Sequence, residues 1–120
     1  MQFFDYEIEH RARYPWQFVQ GKSCTLRLRC NEPVLKITVL HGDPFWFAEG
    51  GKKEPVLEEA EVFSKQLLLD DTYYSVTIPV HTHKLRYHFV ITLYDGTTLM
   101  LSELGVTDEL PESQIRPFMV

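Results

Sequence analysis

The chain has 120 residues and a net charge of −5, from 12 Lys and Arg against 17 Asp and Glu. That length suits one domain, residues 1–120, and excludes a (β/α)₈ barrel, which needs about 250 residues. A hydrophobic share of 44% with 8 Phe, 6 Tyr and 2 Trp argues against disorder, and the acidic balance disfavours nucleic acid and anionic membrane surfaces as partners.

The segment Met1-Gln2-Phe3-Phe4-Asp5-Tyr6-Glu7 lacks the basic start and apolar core of a signal peptide. No run approaches the 18 apolar residues of a membrane span. Cys24 and Cys30 are the two cysteines. On one extended strand they stand about 20 Å apart, whereas a disulfide needs Cα atoms within about 7 Å. Two unpaired thiols suit a reducing compartment, so a cytoplasmic location is expected.

The dominant period is two. Leu26, Leu28 and Cys30 alternate with Arg27 and Arg29. Leu35, Ile37 and Val39 alternate with Lys36 and Thr38, which are expected to face outward. Gly42 to Pro55 holds Gly42, Pro44, Gly50, Gly51 and Pro55, which reads as a long loop. Val56 to Leu69 fits about three helical turns or two short strands, and we favour strands. Tyr74, Val76 and Ile78 alternate with Ser75 and Thr77. Leu85, Tyr87, Phe89, Ile91 and Leu93 share one face; Arg86, His88, Val90 and Thr92 share the other. Tyr94-Asp95-Gly96-Thr97 then signals a hairpin turn before Thr98-Leu99-Met100-Leu101. The reading is all-β: an immunoglobulin-like antiparallel β-sandwich, without the Cys-Trp-Cys core of antibody domains. Pro117-Phe118-Met119-Val120 ends on apolar residues, which a cut before a following domain explains.

The segment Leu40-His41-Gly42-Asp43-Pro44-Phe45-Trp46-Phe47 carries three successive aromatics. Alternate side chains of an extended segment face opposite ways, so the three cannot all point inward. Aromatic planes stack on the apolar C–H faces of sugars while polar groups bind the hydroxyls. Phe45, Trp46 and Phe47 beside Asp43 and His41 therefore form a candidate carbohydrate site. The alternative is that all three rings pack beneath the loop. Arg86 should face away from the interior, either as a solvated strand residue or as a contact to a protein partner.

His81 and His83 share a strand face, but zinc asks for three or four ligands. Asp43 and Asp95 lack the dense oxygen set that calcium needs. No metal or other cofactor is expected. Glycoside hydrolysis needs two carboxylates about 5–9.5 Å apart in a cleft. Nothing raises Glu58, Glu61, Asp70 or Asp71 above a solvated acidic face, so the chain alone is not expected to be an enzyme.

From about Tyr6 to Val120 the chain resembles carbohydrate-binding module family 34, the N-terminal domain of neopullulanases, cyclomaltodextrinases and maltogenic amylases. The features in order are Leu26-Arg27-Leu28-Arg29, Gly42-Asp43-Pro44-Phe45-Trp46-Phe47, Asp71-Thr72-Tyr73-Tyr74 and Leu85-Arg86-Tyr87-His88-Phe89. The resemblance implies a β-sandwich preceding a catalytic barrel of glycoside hydrolase family 13, absent from this chain. It also implies a domain that packs over a second subunit's active site, where the loop aromatics touch an α-glucan or cyclodextrin. By position these are Phe45 and Phe47. Phe stands where the family has Tyr at 45 and Trp at 47, and Trp46 fills the variable position. The lost phenolic hydroxyl removes a hydrogen bond to sugar and leaves stacking. The leading expectation is a non-catalytic α-glucan-associated module with substrate and dimer contacts. The alternative is a purely structural interaction domain without sugar binding of its own.

Overall fold

A computed structural model describes residues 1–42, 58–61, 64–80 and 85–120. Its strands form two antiparallel sheets. One holds β1 (Ile8–Glu9), β2 (Gln17–Gln20), β3 (Ser23–Cys30), β7 (Asp71–Pro79) and β6 (Ser64–Leu68). The other holds β10 (Gly105–Thr107), β9 (Thr98–Ser102), β8 (Arg86–Leu93), β4 (Val34–Gly42) and β5 (Glu58–Glu61), with β11 (Phe118–Met119) also on β8. This is the expected immunoglobulin-like sandwich.

Alternation builds the core. Cys24, Leu26, Leu28 and Cys30 of β3 and Val76 and Ile78 of β7 face Ile37 and Val39 of β4, Phe89 and Ile91 of β8, and Leu99 and Leu101 of β9. All are buried, so each strand presents one apolar face to the opposite sheet. Tyr74 packs at the core's margin. Both cysteines are free and buried, and burial pushes the Cys24 thiol up to about 11, against an opposing bond from the Phe18 backbone. Such thiols stay protonated and unreactive.

One inward expectation fails. Leu35 is 61% exposed, because the β4–β8 register shifts between Val34 and Lys36. Val34 pairs with Leu93 and Lys36 with Thr92, leaving Leu35 as an extra residue. A bulge of this kind turns its residue out of the ladder and restores the alternation beyond it.

In the stretch after Val56 the described residues form strands, β5 and β6, while Val62 and Phe63 lie outside the described residues. Leu93 N donates to Thr97 O at 2.8 Å and Gly96 N to Leu93 O at 3.0 Å, closing the β8–β9 turn. Gly96 takes a φ of 90°, open to glycine at little cost. Thr97 donates to the Asp95 carboxylate and holds it below the usual carboxylate range. Four described strands, β1, β2, β10 and β11, lack a sequence signal. β1 and β2 lie end to end along one edge of β3, and β11 follows β9 along one edge of β8.

The β6–β7 turn places Leu69 at a φ of 55° with its side chain 97% exposed. Left-handed backbone is strained for a branched side chain and tolerable for Asn. Leu69→Asn should therefore raise stability by about 0.5–1 kcal/mol, read as a higher urea midpoint at unchanged slope.

Candidate functional site

Asp43, Phe45, Trp46 and Phe47 lie outside the described residues, as do His81 and His83. The residues that bracket the 43–57 segment are placed. Gly42 closes β4 and pairs with Arg86, and Glu58 opens β5 opposite His41. His41 itself shares the parity of Ile37 and Val39 and is 3% exposed. Strand alternation thus turns it into the sandwich, beside the start of the 43–57 segment. Arg86 lies on the parity of β8 opposite that of Tyr87 and Phe89, facing away from the interior as expected, and is half-buried. With Leu40, His88, Val90, Leu110 and Pro117 it lines a cleft of about 330 Å³ between the six-stranded sheet and the C-terminal segment.

The outer face of the other sheet carries a second cleft, of about 350 Å³. Pro15, Trp16, Arg27, Gln66, Leu68 and Tyr73 line it. Register explains the grouping. Arg29 pairs with Tyr73, Gln66 with Tyr73, and Arg27 N donates to Trp16 O at 2.8 Å. Positions directly opposite one another share a face, so these side chains rise from the same surface. The Trp16 and Tyr73 ring centroids are 6.1 Å apart with planes tilted by 43°. The Arg27 guanidinium sits 5.2 Å from the Phe18 ring centroid, a cation–π contact that holds it beside the cleft.

The sequence reading missed this group. Trp16 precedes a strand too short to recognise. Tyr73 carries the one available signal: an aromatic on the polar parity of a strand whose inward parity already holds Tyr74.

A polar cluster backs the cleft. His10 is 7% exposed. Its Nδ1 meets the Arg27 carbonyl, and its Nε2 lies 2.6 Å from the Tyr87 hydroxyl. A carbonyl only accepts, so Nδ1 carries the proton. Nε2 then accepts from the Tyr87 O–H, and Tyr87 accepts from Gln17 Nε2 at 2.8 Å. Gln17 also donates to Met119 O at 3.1 Å. The His10 ring meets Trp16 edge-on at 6.4 Å, and Phe89 and Phe118 at 5.0 and 4.7 Å. Burial pushes His10 down to about 4, with the Arg27 carbonyl bond opposing. Burial pushes the Tyr87 hydroxyl up, with Gln17 opposing.

Arg29 Nη2 lies 3.3 Å from Glu9, and Nη1 lies 3.6 Å from Asp71. Asn31 donates to Asp71 at 2.8 Å and accepts from Thr72 N at 2.8 Å. These bonds fix the start of β7, where Tyr73 sits. Among the described residues no three or more His, Cys, Asp or Glu side chains gather as a metal site.

Residues 4–119 match the family model described as alpha amylase, N-terminal ig-like domain, and the chain belongs to that family. No curated protein matches. Among solved structures, a cyclomaltodextrinase matches over 94% of this chain and 18% of its own, with 17% identity and a TM-score of 0.71. A maltogenic amylase from S. marinus matches over 92% of this chain and 14% of its own, with 18% identity and a TM-score of 0.65. A cycloalternan-degrading enzyme from Trueperella pyogenes matches over 78% and 16%, with 15% identity and a TM-score of 0.54. The chain spans less than a fifth of the length of each. At these identities the likeness is one of fold.

The His10 cluster sets an acid limit to stability. The unfolded histidine titrates near 6.5 and the folded one at about 4. Between those values the unfolded state binds the extra proton, so stability falls as pH falls and is insensitive to this group above about 6.5. Denaturant titrations should show a loss of roughly 3 kcal/mol from pH 6.5 to 4. In His10→Gln that part of the pH slope should vanish.

Proposed function

We propose that this member of the alpha amylase N-terminal Ig-like family is a non-catalytic, α-glucan-associated module of a neopullulanase-like glycosidase. In this reading the catalytic carboxylates belong to a separate barrel, and the parent enzyme cleaves α-1,4 links. The family match over residues 4–119 carries the reading. Fold neighbours whose names include cyclomaltodextrinase and maltogenic amylase support it. The two buried, reduced thiols are compatible with a cytoplasmic protein. The module's substrate contacts come from Phe45, Trp46 and Phe47, with Asp43 taking sugar hydroxyls. Calorimetry of the 120-residue chain with β-cyclodextrin or maltoheptaose should show binding that Phe45→Ala/Phe47→Ala weakens about tenfold. No heat at millimolar sugar would reject autonomous binding and leave an architectural role.

The Arg86 cleft favours a second contribution, to protein contacts. Leu40, Val90, Leu110 and Pro117 supply apolar surface around a guanidinium. That mixture, an apolar centre with an arginine, is typical of interface anchors. In the parent glycosidase, Arg86→Glu should lower the dimer fraction in sedimentation velocity while leaving the β-sheet circular dichroism unchanged. An unaltered dimer fraction rules this contribution out.

A further inference from the structure

We propose that the Trp16–Tyr73 cleft on the five-stranded sheet binds pyranose rings of an α-linked glucan through the polar groups of Arg27 and Gln66. The ligand class rests on the α-glucan reading above; the site does not, because none of its residues belongs to the 43–57 segment.

Trp16 and Tyr73 are half-buried, each with part of its ring open to the cleft. A surface aromatic pair bordering a cavity needs an apolar, flat partner to cover it. The polar groups beside it are donors: the Arg27 guanidinium and the Gln66 amide, with the Tyr73 hydroxyl able to give or accept. Among the described residues these three side-chain ends form no hydrogen bond or ion pair within the chain. Flat C–H faces edged by hydroxyls, each accepting and donating, answer both requirements.

Charge narrows the choice. Arg29, the neighbouring cation, is engaged by Glu9 and Asp71. Among the described residues Arg27 is the one cation lining the cleft, on a chain of net charge −5. One guanidinium does not gather a polyanion, and it repels a cationic ligand. A neutral ligand remains.

Ring geometry narrows it further. Planes tilted by 43° do not form one flat shelf. A β-1,4-linked glucan is a flat ribbon and suits coplanar rings. α-Linkages turn each sugar relative to the last, so successive rings meet differently inclined planes. The volume, about 350 Å³, lies at the small end of ligand pockets, which span roughly 300–1,000 Å³. It suits a short stretch of chain, not a whole cyclodextrin.

The test is an amide and indole NMR titration of the 120-residue chain with maltoheptaose, cellohexaose and a proline-rich peptide. Maltoheptaose should move the Trp16 indole N–H and the Arg27, Gln66 and Tyr73 amides, and Trp16→Ala should weaken that binding about tenfold. Gln66→Ala, at an exposed position, carries the test if Trp16→Ala loses its fold; it should weaken binding without moving unrelated resonances. Shifts confined to residues 43–47 would overturn the cleft and leave the glucan reading intact. Silence with every sugar would overturn both. Equal response to cellohexaose would overturn the α-linkage assignment. Response to the peptide with none to maltoheptaose would reassign the cleft to a polyproline ligand and overturn the proposal.

Discussion

One satisfied polar cluster inside an apolar sandwich organises this domain. His10, Tyr87 and Gln17 join three separate pieces of chain: the segment after β1, the start of β8, and β2. The Arg27 carbonyl fixes one end and the Met119 carbonyl the other. The Arg27 carbonyl accepts only from a protonated Nδ1, which leaves Nε2 as the acceptor for the Tyr87 hydroxyl. Hydrophobic packing holds two sheets together but tolerates sliding and repacking. A buried chain of hydrogen bonds does not, since each broken member leaves an unpaid desolvation cost. The cluster therefore sets how the two sheets meet at this end.

Both candidate contact regions grow from that end. Trp16 rests edge-on against His10, so the cleft is backed by the cluster. Tyr87 pairs with His41, and Arg86 with Gly42, the residue before the 43–57 segment. The Trp16–Tyr73 pair, Gly42 at the end of β4 and the Arg86 cleft thus share a common support. His10 must stay neutral for this support to hold, because a second proton on Nε2 would remove the acceptor for Tyr87.

Where strands alternate strictly over five or more residues, as in β3, β7 and β8, the sequence predicts both the element and its buried face. Leu35 breaks the rule through a bulge, which no composition cue marks. β1 and β11 are two residues each and exist only because longer neighbours offer them an edge. His41 looked polar and accessible beside the aromatic run, yet strand parity decides its direction. The cleft was the least legible feature. Trp16 and Tyr73 are distant in sequence, and the β3–β7 register together with the Arg27 N–Trp16 O bond brings them side by side. Fold is also what persists at 15–18% identity to the amylase-type neighbours. Alternation survives substitution of one apolar residue for another; the placement of particular rings does not.

Rigid support has a consequence for affinity. Trp16 and Tyr73 stand on or beside paired strands, and the cluster and the Arg29–Asp71–Asn31 bonds hold those strands in register. Little ordering is then left for a ligand to impose, which favours binding by a shallow surface. Among the described residues this surface offers two stacking rings and three polar ends, so the proposed binding of a single short sugar is weak. Strength must come from engaging a longer chain at more than one point. Gly42, the residue before the 43–57 segment, pairs with Arg86, and in the proposed reading that segment is the second point. Two weak contacts on one flexible glucan raise each other's effective concentration, provided the chain can span them. In the proposed reading a polymeric glucan gains from this arrangement what a free disaccharide does not.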